Sequence, residues 1–169
     1  REIQQAEDYI RRLLLVGQGQ QDRDREAPVL DCLCSVQASL GPVAKHRKVE
    51  VMWDLQPALS GCHVKNGPTL VAAITNLVLN AIQAGVHVSV VADRIGNDQL
   101  RVSVSDDGPG IPDEIAAEIF EPFVTSKAEG MGLGLPLVRR AAEYLNGRVE
   151  WSRSEGQTVF CLVAEVSKG

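Results

Sequence analysis

Residues 69–84 read Thr-Leu-Val-Ala-Ala-Ile-Thr-Asn-Leu-Val-Leu-Asn-Ala-Ile-Gln-Ala. The run is too long for a strand, carries no charge and is apolar around most of its circumference, so it predicts a buried helix. Two asparagines interrupt it. Asn76 and Asn80 are four residues apart, hence on one face and one turn from each other. Magnesium prefers hard oxygen ligands and keeps waters and substrate phosphates for most of its octahedron, so a single amide oxygen from Asn80 would be a sufficient protein contribution. Two amides that merely satisfy a neighbouring loop are the plain alternative.

Outward from this helix the pattern alternates between periods. Upstream, Ile3, Ala6, Ile10, Leu13 and Leu14 lie at helical spacing, and residues 17–26 are polar and glycine-containing, a helix end and linker. From Pro28 onward Val29, Leu33, Val36, Leu40 and Val43 predict a second amphipathic helix, and Val49, Val51 and Trp53 alternate as in a strand. Downstream, residues 86–95 and 100–105 are β-branched runs around Gly96-Asn97-Asp98, a hairpin signal. A short helix is expected over 112–120 and a longer one over 133–145 that tolerates Pro136 early and stops at Asn146-Gly147. Strands over 148–154 and 158–166 close the chain around a turn at Glu155-Gly156. Helices mixed with hairpin-linked strands, without regular βαβ repetition, predict an α/β two-layer sandwich: a mixed sheet covered on one face by helices.

Three further motifs follow the asparagine helix. Asp106-Asp107-Gly108-Pro109-Gly110 comes directly after a predicted strand. A carboxylate there can accept a hydrogen bond from the exocyclic amine of adenine, where guanine would present a repelled oxygen. The two glycines let backbone approach the base, although an ordinary acidic turn has the same signature; Asp107 is read as solvated. Phe120-Glu121-Pro122-Phe123 precedes Thr125-Ser126-Lys127, and Gly130-Met131-Gly132-Leu133-Gly134-Leu135 opens the last helix. A glycine-rich helix start offers backbone N–H groups to an anion such as a triphosphate. Neither GxGxxG spacing nor a GxxxxGK[ST] loop is present.

In this order the four motifs resemble the N, G1, F and G2 boxes of the ATP-binding catalytic domain of bacterial sensor histidine kinases, within the gyrase, Hsp90, histidine kinase and MutL superfamily. The resemblance covers about residues 27–166 and implies the Bergerat-type ATP-binding fold with ATP and Mg2+ as ligands. It implies that Asn80 is the metal ligand and that Asp106 anchors adenine. It also implies that Asn76, Gly108, Gly110, Ile111, Gly130, Gly132, Leu133 and Gly134 line the nucleotide. Residues 110–130 become an ATP lid latched by Phe120 and Phe123, and Thr158 matches a late threonine beside the adenine aspartate. Lys127 is the basic side chain of that lid and the choice for a phosphate contact. Two departures stand out. Where many members carry Lys, Arg or Tyr three residues after the magnesium asparagine, this chain has Gln83. Where related ATPases carry a glutamate base, it has Asn76, and an amide has no usable basicity near neutral pH.

The resemblance further implies that the γ-phosphoryl acceptor is a histidine followed by an acidic residue on a dimeric helical hairpin. Here His46 precedes Arg47, His63 precedes Val64 and His87 precedes Val88, so that box is not in the chain. Residues 1–26 are expected to be the end of the dimerisation helix with its linker, and 27–169 the catalytic domain, as in a fragment of a longer kinase. The implied partners are the chain's own phosphoacceptor domain in a homodimer and a response-regulator receiver domain. A superfamily ATPase and a non-catalytic nucleotide-binding module are the rival readings. The lid sequence looks similar to nitrogen-regulation-type kinases.

The 169 residues suit one domain plus an appendage, and 44% hydrophobic with 23% charged residues is an ordinary globular balance. A net charge of −5 argues against nucleic acid as a partner. No apolar run approaches the roughly 20 residues of a spanning helix, so membrane insertion of this chain is not expected; the resemblance implies a cytoplasmic location, with a parent protein either soluble or membrane-anchored. Cys32, Cys34, Cys62 and Cys161 lack CxxC spacing and are expected to be reduced, structural thiols.

Overall fold

The computed structural model of the protein describes residues 25–127 and 132–169. The helix expected near the N-terminus, and Gly130 and Met131, lie outside them. The described chain runs β1 (Ala27–Pro28), α1 (Val29–Arg47), β2 (Glu50–Leu55), a 3-10 turn (Pro57–Leu59), β3 (Cys62–Val64), α2 (Gly67–Ala84), β4 (His87–Ile95) and β5 (Gln99–Asp106). It continues through α3 (Asp113–Ala116), α4 (Gly134–Tyr144), β6 (Arg148–Ser154), β7 (Gln157–Glu165) and β8 (Ser167–Lys168). Among the described residues the main sheet has the order β2-β4-β5-β7-β6, with β2 parallel to β4 and the other neighbours antiparallel. A small sheet, β1-β3-β8, closes one end.

Period-two alternation sends one side of each central strand inward. Val88, Val90 and Ala92 of β4, Leu100, Val102 and Val104 of β5, and Phe160, Leu162 and Ala164 of β7 are buried beneath α1, α2 and α4. The expected two-layer arrangement is therefore present. Each fully buried Leu, Ile or Val contributes about 1.5–3 kcal/mol, so this one layer supplies most of the favourable term in folding. By length and composition alone α2 could cross a membrane. Its Leu70, Ile74, Leu77 and Val78 are instead packed against α1, α4 and the sheet, which makes it the central core helix.

Local chemistry sets the ends of α2. Asn66 precedes it in extended conformation, and its Oδ1 accepts the Thr69 backbone N–H at 3.0 Å, with Pro68 in the first turn. Asn66→Ala is expected to cost about 1 kcal/mol, read as a lower urea midpoint with an unchanged slope. At the other end Gly85 donates its N–H to the Ala81 carbonyl.

Local details differ from the sequence reading. The helix expected over 112–120 is only Asp113–Ala116, followed by turns that carry Ile119 into the core. The helix after Pro28 runs on to Arg47 through Pro42, whose position is exposed, and closes on Lys48 at φ 57°. Strands β1, β3 and β8, two or three residues long, carry too little pattern to be anticipated. Arg25 and Glu26, assigned to the linker, are tied to the domain: the Gly67 N–H donates to the Arg25 carbonyl and the Ser167 hydroxyl to Glu26. All four cysteines are free thiols. Burial, with Asp31 beside it, pushes the Cys32 thiol up to about 11, so it behaves as a packed apolar group.

Candidate nucleotide-binding site

The helix α2 carries Asn76 and Asn80 to the N-terminus of α4. Asn76 is buried and donates from Nδ2 to the Ala72 carbonyl at 2.9 Å. A Cβ on Gly134 would sit 3.4 Å from Asn76 Oδ1 and 4.0 Å from Asn80 Nδ2. The first turn of α4 thus lies within van der Waals reach of both amides. Leu133, just before it, is buried. Two motifs far apart in sequence meet here, and a helix start, whose first N–H groups have no partner within the helix, lies beside the half-buried Asn80.

The second wall is the end of β5. Asp106 occupies an inward position that Val104 and Val102 fill with apolar groups earlier in the strand, and it is 6% exposed. Its Oδ1 accepts the Gly108 N–H at 2.9 Å. Burial raises the Asp106 pKa above its ordinary value, with Asp107 adding to the rise; the Gly108 N–H, Arg153 and Lys127 oppose it. Gly108 is required by space: a Cβ there would lie 2.5 Å from the Ala84 carbonyl oxygen. Gly110 is required by backbone, at φ 88°, and Ile111 packs against the core beyond it. Thr158, buried on β7, pairs with Asp106 across the strands. An open cleft of about 490 Å³ borders the same turn, lined among others by Arg47, Gln83, Gly85, Asp107 and Pro109.

Asp107 is not simply solvated. Its Oδ1 accepts the Val86 and His87 backbone N–H groups at 2.8 and 3.0 Å, and its Oδ2 lies 2.7 Å from His87 Nδ1. These bonds, those from His87 first, pull its carboxyl down to about 2 and raise the exposed His87 above the usual imidazole value. The residue clamps the glycine turn to the start of β4. That role needs the turn and the strand side by side, which sequence order does not show.

The aromatic latch also takes a different form. Phe120 packs edge-on against Phe160, centroids 6.3 Å apart at 89°, whereas Phe123 is 73% exposed at φ 68° and makes no pair with it. The Phe123 N–H donates to the Gly132 carbonyl at 3.0 Å, and this bond rather than its ring ties the segment to the helix start. Lys127 donates from Nζ to Gln83 Oε1 at 2.8 Å. The departure at Gln83 and the basic side chain of the lid are therefore one bonded pair. Desolvation lowers the Lys127 pKa, Asp106 works against that, and Arg47 adds to it.

Arg153 was not anticipated. It lies on β6 opposite Thr158, and its Nη1 donates to the Gly108 carbonyl at 2.8 Å and to Thr158 Oγ1 at 2.7 Å. The two-residue turn at Glu155-Gly156 was the available signal, since it pairs Ser154 with Gln157 and hence Arg153 with Thr158.

The family model for histidine kinase-, DNA gyrase B- and HSP90-like ATPases matches residues 65–167. The C4-dicarboxylate transport sensor protein DctS of Rhodobacter capsulatus is 30% identical over 136 residues, 74% of this chain and 20% of that protein. The sensory histidine kinase/phosphatase NtrB of the same species is 49% identical over 68 residues, 40% of this chain and 19% of NtrB. The chain thus spans about a fifth of the length of these relatives. Full-length ShkA, solved in complex with AMPPNP, superposes with a TM-score of 0.77 at 25% identity, covering 96% of this chain and 36% of that one. The catalytic domain of histidine kinase ThkA superposes with a TM-score of 0.73 at 25% identity, covering 83% of this chain and 93% of that domain. With the order of its motifs, the two-layer fold and the meeting of Asn76 and Asn80 with Gly134, the chain belongs to the histidine kinase-, DNA gyrase B- and HSP90-like ATPase family.

Proposed function

We propose that this chain is the catalytic domain of a sensor histidine kinase, which holds Mg-ATP and presents its γ-phosphoryl group to a histidine on the dimerisation hairpin of the parent protein. The observation that carries the reading is Asp106: a buried carboxylate in an otherwise apolar row, with one oxygen committed to the Gly108 N–H. The other oxygen is suited to the exocyclic amine of adenine. Residues 27–169 form the catalytic domain in this reading, and 1–26 connect it to the hairpin. The parent works as a cytoplasmic homodimer and passes the phosphoryl group to a receiver domain.

The residues present fit a magnesium ion. Asn80 lies beside the α4 start, with its amide nitrogen 4.0 Å from the place of a Gly134 Cβ; its amide oxygen would be the hard ligand, and the triphosphate would lie against backbone N–H groups. Among the described residues no cluster of His, Cys, Asp and Glu could form a metal cage, so the ion would share its sphere with phosphate oxygens. When bound, it neutralises charge on the transferring group. Asn80 would hold the ion, Lys127 would turn from Gln83 onto a phosphate, and the α4 N-terminus would fix the chain of phosphates in line for an acceptor. Asn76 is held by the Ala72 carbonyl and supplies no base, which favours transfer to an incoming histidine over activation of water.

The magnesium assignment is tested by isothermal titration of ATP with and without EDTA. Asn80→Ala is expected to weaken Mg-ATP binding about tenfold and leave magnesium-free ATP nearly unchanged. An equal loss under both conditions would make Asn80 a structural residue.

A further inference from the structure

We propose that Arg153 is a positioning residue for recognition of the base. By bridging the Gly108 carbonyl and the Thr158 hydroxyl, it holds the 106–110 turn against the sheet edge and keeps a positive charge beside the Asp106 carboxylate. The inference rests on the reading of Asp106 as the adenine anchor and adds a residue outside the four motifs.

Register brings the three residues together. Asp106 on β5, Thr158 on β7 and Arg153 on β6 form one row across neighbouring strands. An arginine on an edge strand ordinarily extends into water, as an exposed guanidinium gains little from surface partners. Arg153 stays exposed as a residue, but its guanidinium folds over the end of the sheet onto the glycine turn and Thr158. Two N–H groups of one nitrogen are spent on two neutral acceptors, one in the glycine turn and one in the buried threonine. The guanidinium also lies where a side chain at Gly110 would meet it: a Cβ there would be 3.1 Å from Arg153 Cζ. Turn, threonine and arginine are thus fitted to one another, and movement of Arg153 would release the backbone that the base approaches.

The charge matters because Asp106 is useful only as an anion. Burial favours its protonated form, and Asp107, next in the chain, pushes the same way. Arg153 from β6 and Lys127 from the lid oppose them. His87 on β4 and Glu50 on β2 act one step away, through Asp107. Lys127 sits on a segment that contacts the phosphates in this reading, so Arg153 is the cation fixed to the sheet whether or not nucleotide is bound. A carboxylate whose pKa is raised loses its ionised form as pH falls, so ATP affinity must fall on the acid side. Arg153 holds that fall at lower pH.

The test is calorimetric titration of ATP into the wild-type chain, Arg153→Gln, Arg153→Met, Arg153→Lys and Asp106→Asn across the acidic and neutral range. ATP's own titration is common to all of them, so the differences between variants are what count. The neutral variants are expected to bind about threefold to tenfold more weakly at neutral pH and to lose affinity at higher pH than the wild type. Arg153→Lys should keep the wild-type position of that acid limb. Asp106→Asn should be weak throughout and lack the limb. If either folded neutral variant keeps the wild-type limb while Asp106→Asn lacks it, Arg153 is only a strand residue and the adenine reading survives. If Asp106→Asn binds ATP as the wild type does, the reading of Asp106 as the adenine anchor falls, and the role of Arg153 falls with it. Two neutral variants are included so that a folding failure in one leaves the other to decide.

Discussion

Asp106→Asn is expected to weaken ATP binding about tenfold to a hundredfold, roughly 1.5–3 kcal/mol, the range for hydrogen bonds to a charged group. The loss follows from counting acceptors. A carboxylate has two acceptor oxygens, and here one already holds the Gly108 N–H at 2.9 Å. An asparagine has a single oxygen, so it must either release the glycine turn or turn an NH2 toward the adenine amine. The same logic sets selectivity. Guanine presents a carbonyl oxygen where adenine presents an amine, and a buried carboxylate repels it, so the wild-type chain should bind ATP far more tightly than GTP. Calorimetry with both nucleotides measures the two effects, and equal wild-type affinities would remove Asp106 from this role.

The second large effect concerns chemistry and is close to all-or-none. By itself the chain should neither label itself with γ-phosphate nor hydrolyse ATP appreciably. Asn76 cannot act as a base, and His46, His63 and His87 lack an acidic neighbour in sequence. When the dimeric hairpin of the parent is fused upstream or added at high concentration, an acid-labile, base-stable phosphohistidine should form on the hairpin, because docking makes transfer nearly unimolecular. Electrophoresis with radiolabelled ATP and differential acid and base stability read this out. Steady ATP turnover without any acceptor, abolished by Asn80→Ala, would instead assign the chain to the ATPase branch of its family.

Most of the scaffold was legible because its signals are local. The apolar run of 69–84 could only be a buried helix, and β4, β5, β6 and β7 announce themselves by β-branched alternation and by turns at Gly96 and Glu155-Gly156. The spacing of Asn76 and Asn80 put both on one helical face before any partner was known. Asp106 and its two glycines share the signature of an ordinary acidic turn, and they were legible only beside the other three motifs.

What only the tertiary structure decided are the relations between segments that no period connects. The sequence order separates Gly134 from Asn76 by 58 positions, yet the start of α4 lies against the Asn76 and Asn80 amides of α2. Asp107 looked like a solvated turn residue and is a clamp on β4, since three donors from 86–87 converge on it. Phe120 and Phe123 look equivalent in sequence, but one meets Phe160 and the other faces water, because a left-handed backbone at Phe123 turns its ring away from the core. Composition, periodicity and motif spacing thus determined the elements and the family, and they singled out Asp106 and Asn80 as candidates for the base and the metal. Strand register and helix packing determined which side chains hold those anchors in place, because hydrogen-bond partners are chosen by distance in space and not along the chain.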